Sequence, residues 1–178
     1  MPMKSTSTSY GAVAVTIHWL STILIIALLG LGFRASDMTD PEAKAGVLQI
    51  HATLGIAILI LTIARIVWWR LDNKPAPVGG SPRWQDLSAK AVHLLFYIVI
   101  LGMAASGIGM FVLSGAGPVV FGGEGSLPDF TQYLPRVPHG LGARAMLVLL
   151  ALHAGAALYH HLVKRDGTLR RMWFGSKV

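Results

Sequence analysis

The chain has no cysteine. That excludes a disulfide, a thiolate metal site and covalent cofactor attachment through a C-x-x-C-H motif. Charge is scarce as well. Charged residues make up 13% of the 178 positions, where soluble domains carry about 25%. Only eight residues are acidic, and none sits inside a long apolar run, so a proton relay through the apolar interior lacks the carboxylates it needs. The net charge of +7 is not a nucleic-acid signal, because no soluble basic stretch is long enough to form such a domain. In so apolar a chain, excess Lys and Arg reflects membrane topology and anionic lipid.

What the chain does have is long hydrophobic runs. A membrane-crossing helix needs roughly 20 mostly apolar residues. Four runs qualify: about 12–33, 47–69, 89–113 and 141–163. Polar and helix-breaking segments separate them: "RASDMTDPEAKAG", "DNKPAPVGGSPRWQD" and the long "SGAGPVVFGGEGSLPDFTQYLPRVP". The first run is too long for a signal-peptide core and lacks an A-x-A-like cleavage site, so it reads as retained. The expected fold is an all-α membrane protein, a four-helix up-down-up-down transmembrane bundle forming a single domain over residues 1–178. The third loop is expected to fold over the outer end of the bundle.

Cations set the expected orientation. Lys4, Arg65, Arg70, Lys74, Arg83, Lys90, Lys164, Arg165, Arg170, Arg171 and Lys177 fall toward one face; only Arg34, Lys44, Arg136 and Arg144 fall toward the other. The positive-inside rule then puts both termini in the cytoplasm. Trp19, Trp68, Trp69, Trp84 and Trp173 lie near the same face, as an interfacial belt would.

Against this background the histidines stand out, because an imidazole in lipid is costly and marks function by default. At about 1.5 Å per residue, His18 lies about 9 Å into the first helix and His51 about 6 Å into the second. His139 opens the fourth helix at the outer rim, and His153 lies about 21 Å further in, near the depth of His18. Fourteen residues also return a helix to within about 40° of whole turns, so His139 and His153 point to nearly the same side. Two layers result: His18 with His153 inside, and His51 with His139 outside. Two imidazoles per layer suit a six-coordinate haem iron. Small residues beside them (Gly55, Gly140, Gly142, Ala154, Gly155, Ala156 and Ala157) would admit a flat macrocycle, although close helix packing explains each one singly. A zinc or copper site would instead gather three or four ligands within a few Å. His93 lies near the depth of His18 and competes with His153 for the inner layer. His160 is expected to meet haem propionates or a quinone carbonyl, and His161 to be solvated. Arg144 is the candidate cation near the outer haem.

The segments "TIHWL" at 16–20, "LQIHATLGIAILILTIARIVWW" at 48–69, "LSAKAVHLLFYIVILGMAASG" at 87–107 and "HAGAALYHHLVKRDGTLRRM" at 153–172 resemble the bacterial cytochrome b561 family. The similarity covers nearly the whole chain and is weakest in the third loop. It implies two haem b groups in the inner membrane, with His18 and His153 on the inner iron, His51 and His139 on the outer, and His93 on neither. It further implies electron transfer between a donor at the outer face and membrane quinone. For a stand-alone member the donor is expected to be superoxide, which would make the chain an oxidoreductase of the superoxide:quinone type. The alternative is a cytochrome b subunit serving a periplasmic dehydrogenase or hydrogenase partner. A non-redox transporter or metal carrier is the reading from another class; the lack of acidic residues or a Pro-broken helix in the spans argues against it.

Overall fold

The computed structural model describes residues 1–76 and 82–175, so Lys177 and part of the second loop lie outside the described residues. Among the described residues four helices are long and apolar enough to cross a membrane: α1 (Ala12–Asp37), α2 (Pro41–Leu71), α3 (Arg83–Ser114) and α4 (Arg136–Tyr159). A π-helical turn, His160–Lys164, continues α4. The architecture is all-α, as expected. The helices are longer than the apolar runs because hydropathy marks what lipid can cover, whereas capping decides where hydrogen bonding starts. At α2, Pro41 takes the first helical position, and the Asp40 carboxylate accepts from the Glu42 and Ala43 amides at 3.3 Å each. Asp40→Ala is expected to cost about 1 kcal/mol of stability, to be read from chemical unfolding in detergent against Asp37→Ala as an uncapped control.

The chain forms two compact units. The first joins Met1–Ser21, Leu61–Tyr97 and Val148–Val178. It therefore holds the start of α1, the end of α2, the start of α3 and the end of α4, so neighbouring helices run in opposite senses. Here the N-terminal segment closes over α1. Ala12 donates to the Pro2 carbonyl at 2.9 Å, and Ser5 binds the Asp72 carboxylate through its amide (2.8 Å) and its hydroxyl (2.5 Å). Only glycine fits at position 11, where a Cβ would lie 2.4 Å from the backbone of Lys4. The C-terminal segment is tied down in the same unit: the Trp19 indole donates to the Met172 carbonyl at 2.8 Å, and its ring meets Trp173 edge-on.

The second unit joins Thr22–Ile60 and Ile98–Leu147. Its interior is built from Ile25, Leu29, Ala35, Val47, Ile58 and Met146. The third loop packs into this unit. Gly115, at φ +65°, ends α3 in the left-handed conformation that helix C-termini favour. Ala116 and Val120 are then buried, while Phe121 and Phe130 stack near Phe111. Small buried interiors contrast with broad apolar exteriors. In the most apolar stretch of each long helix, between 6% and 22% of residues are buried. Ile23, Ile60, Ile98 and Val112 are exposed, as side chains are when lipid is their solvent.

Candidate functional site

Both units carry paired imidazoles. In the first, His18 on α1 and His153 on α4 have ring centroids 6.1 Å apart. In the second, His51 on α2 and His139 on α4 are also 6.1 Å apart. A first-row metal ion held about 2 Å from one nitrogen of each ring, with each nitrogen about 1.1 Å from its ring centre, separates two centroids by about 6 Å. Both pairs match that spacing. Neutral imidazole is also the donor that haem iron takes in bis-histidine sites.

The second unit shows how one ligand is oriented. His139 Nδ1 lies 3.1 Å from the Met103 carbonyl and 3.0 Å from Ser106 Oγ, and the same Ser106 hydroxyl donates to Met103 at 3.0 Å. A carbonyl only accepts, so Nδ1 carries the proton and Nε2 keeps its lone pair. Outer-shell contacts of this kind fix the tautomer of metal-binding histidines. Glycines cradle both rings: a Cβ on Gly32 would lie 3.2 Å from His51 Cε1, and one on Gly107 would lie 3.4 Å from His139 Cε1. They add to the small residues expected along the ligands' own helices. Gly55 and Gly155 face open space, Gly140 abuts Arg136 and Gly142 abuts Met103. Gly32 and Gly107 reach the rings from neighbouring helices, α1 and α3.

In the first unit His93 packs against His153 at 5.5 Å, nearly edge-on, and Phe96 does the same from one turn further along α3. Arg65 Nη2 lies 3.2 Å from His18 Nδ1, which sets a guanidinium beside the ring. Arg144 is exposed and lies five residues past His139, about 140° around the helix.

His160 is not among the paired rings. Its Nδ1 meets Asp166 Oδ2 at 2.5 Å, a contact that helical periodicity does not place, because the chain turns back through left-handed Arg165 after the π-helical turn. Asp166 Oδ1 accepts from the Thr168 amide and hydroxyl at 3.0 and 2.6 Å. Burial alone would raise the Asp166 carboxyl; hydrogen bonds from Thr168 and His160 outweigh it and hold it at about 2. A depressed carboxyl contributes stability that is complete above its unfolded value, near pH 4, and is lost as pH falls through about 2. Asp166→Asn is expected to lower the unfolding temperature at pH 7, with the gap to wild type closing toward pH 2; a constant gap would show that the charge is not its source.

Four membrane-crossing helices with imidazole pairs spaced to share an iron define a class, the helical membrane cytochromes. The profile of the prokaryotic cytochrome b561 family matches residues 9–175. Among similar proteins, cytochrome b561 homolog 2 of Escherichia coli is 27% identical over 184 residues, covering 97% of this chain and 95% of its own. The probable superoxide oxidase CybB of Yersinia pestis is 33% identical over 172 residues, covering 92% and 94%. Cytochrome b562 of Cereibacter sphaeroides is 29% identical over 168 residues, with the same coverage. The chain belongs to the prokaryotic cytochrome b561 family. It is a bacterial multi-pass membrane protein that binds haem b and transfers electrons.

Proposed function

We propose that the chain is a single-domain, di-haem b cytochrome of the inner membrane that moves electrons from a donor at the outer face to membrane quinone. His18 and His153 hold the inner iron, and His51 and His139 the outer. The carrying observation is the equal 6.1 Å separation of the two ring pairs. The orientation follows the cation bias, with both termini in the cytoplasm. Haem supplies one-electron chemistry when bound; the chain supplies orientation, access and protons.

The proposed donor is superoxide, in line with the similarity to the Yersinia pestis protein. Superoxide is an anion, and Arg34, Lys44, Arg136 and Arg144 offer the outer face the charge that steers one. Asp37, Asp40, Glu42, Glu124 and Asp129 share that face and limit the bias. Two superoxide ions each lose one electron and leave as dioxygen; one quinone takes up two electrons and two protons. His160 is suited to the proton side of that exchange. Asp166 holds its Nδ1, which leaves Nε2 to exchange a proton with a quinone oxygen. His93 packs beside His153 in the same unit as a neighbour rather than a ligand.

Enzymatically generated superoxide added to quinone-loaded proteoliposomes should reduce the haem absorbance bands and consume two superoxide ions per quinone reduced. Haem that responds to dithionite but never to superoxide would remove superoxide as donor and favour a periplasmic dehydrogenase or hydrogenase partner.

A further inference from the structure

Beyond the paired imidazoles, a cavity of about 260 Å³ opens at the end of α4, lined by His161, Leu162, Arg165, Gly167 and Arg170. Its charge is one-sided. Asp166 is the sole acidic residue between Pro138 and Val178, and its carboxylate is bound to His160 and Thr168. The neighbouring cations are committed elsewhere: Lys164 donates to Gln85 Oε1 at 2.9 Å, and Arg171 to the Ala76 carbonyl at 2.6 Å. Arg165 and Arg170 line the cavity; Arg165 Nε donates to the Leu162 carbonyl at 3.4 Å, which leaves its terminal nitrogens for a ligand. A helix C-terminus repels anions, and these two guanidiniums reverse that sign.

The backbone gives a second, independent indication. Arg165 is the lone non-glycine residue with positive φ among those described, at φ 54° and ψ 33°. Glycine or asparagine usually occupies that position at a helix end, and a larger side chain there is strained. Strain of this kind gathers at ligand sites. Here it puts a guanidinium at the cavity where glycine would put nothing.

The surroundings select the ligand. Leu162 lines the cavity and is exposed, and Val163, Trp173 and Phe174 in the same C-terminal segment are exposed as well, the mix of apolar and indole surface found where a helix leaves a bilayer. The cavity falls below the roughly 300 Å³ at which drug-sized ligands begin to fit, so it takes a small group. Paired guanidiniums suit phosphate oxygens, which they can bind through parallel N–H donors. We infer that this cavity is a phosphate-binding site that seats the headgroup of an anionic phospholipid at the end of α4. Neutral quinone has no use for the two charges, and an acidic peptide is too large.

The test is native mass spectrometry of the haem-loaded protein in detergent with added phosphatidylglycerol, phosphatidylcholine or inorganic phosphate. Three variants are compared: Arg165→Gln/Arg170→Gln, Arg170→Gln alone and Lys164→Gln. Wild type and Lys164→Gln should retain phosphatidylglycerol in preference to phosphatidylcholine, and the double variant should bind it about thirtyfold more weakly. The single variant, with wild-type haem content as proof of folding, should fall between. Retention of inorganic phosphate with the same arginine dependence, and no preference among lipids, would keep the site and make free phosphate its ligand. Equal binding by the double variant and Lys164→Gln, or no retention of either phosphate source, would overturn the inference.

Discussion

A His18→Ala variant is expected to lose one of its haems, whereas His93→Ala keeps both. The two rings compete for the same neighbour, since each packs against His153, at 6.1 and 5.5 Å. The other pair decides between them. His51 and His139 lie 6.1 Å apart, and a shared iron needs about 6 Å between ring centres. His93 is closer and nearly edge-on, as aromatic rings pack on one another. Removing His18 therefore takes away an iron ligand, and haem per chain should drop from about two to about one. Removing His93 takes away a packing partner, and should cost stability of about 1–3 kcal/mol without lowering that ratio. The reverse result would exchange the roles of His18 and His93.

The second large effect involves no histidine. Gly32→Leu should abolish haem binding at the His51/His139 pair and leave the other pair loaded. A single methyl at position 32 already comes within 3.2 Å of His51 Cε1, so alanine is borderline and leucine must displace the ring. A ligand moved by about 1 Å no longer shares an ion with its partner. Leucine on a lipid-immersed helix carries no propensity penalty, so the variant should fold. Absorbance spectra resolved by redox titration would show one component missing. Gly30→Leu on the same helix is the matched control: Gly30 is exposed, nothing lies within 4 Å of its Cβ position, it points about 200° away from Gly32, and both components should persist.

Gly32 and Gly107 mark the boundary of what the sequence discloses. The four spans are legible because lipid demands about 20 apolar residues in a row. Two depth layers, His18 with His153 and His51 with His139, are legible because rise and rotation along a helix are fixed; His93 falls at the inner depth as well, and helix geometry alone leaves it there. Gly32 and Gly107 are not legible, since periodicity says which side of its own helix a residue occupies and nothing about which other helix faces it. Ser106 and Met103 escape notice for the same reason: their hold on His139 reaches across 33 and 36 residues. Asp166 escaped differently. No helical period reaches it: the chain turns π-helical at His160 and then reverses through left-handed Arg165, which brings Asp166 back to His160.

The central claim is two separate bis-histidine haem sites in one chain. Its most direct test is the haem-to-protein ratio by pyridine haemochrome, on wild type, His51→Ala and His153→Ala. The account predicts about two b haems in wild type and about one in each variant, with different reduced-minus-oxidised spectra remaining in the two. A single haem in wild type that survives both substitutions would contradict it.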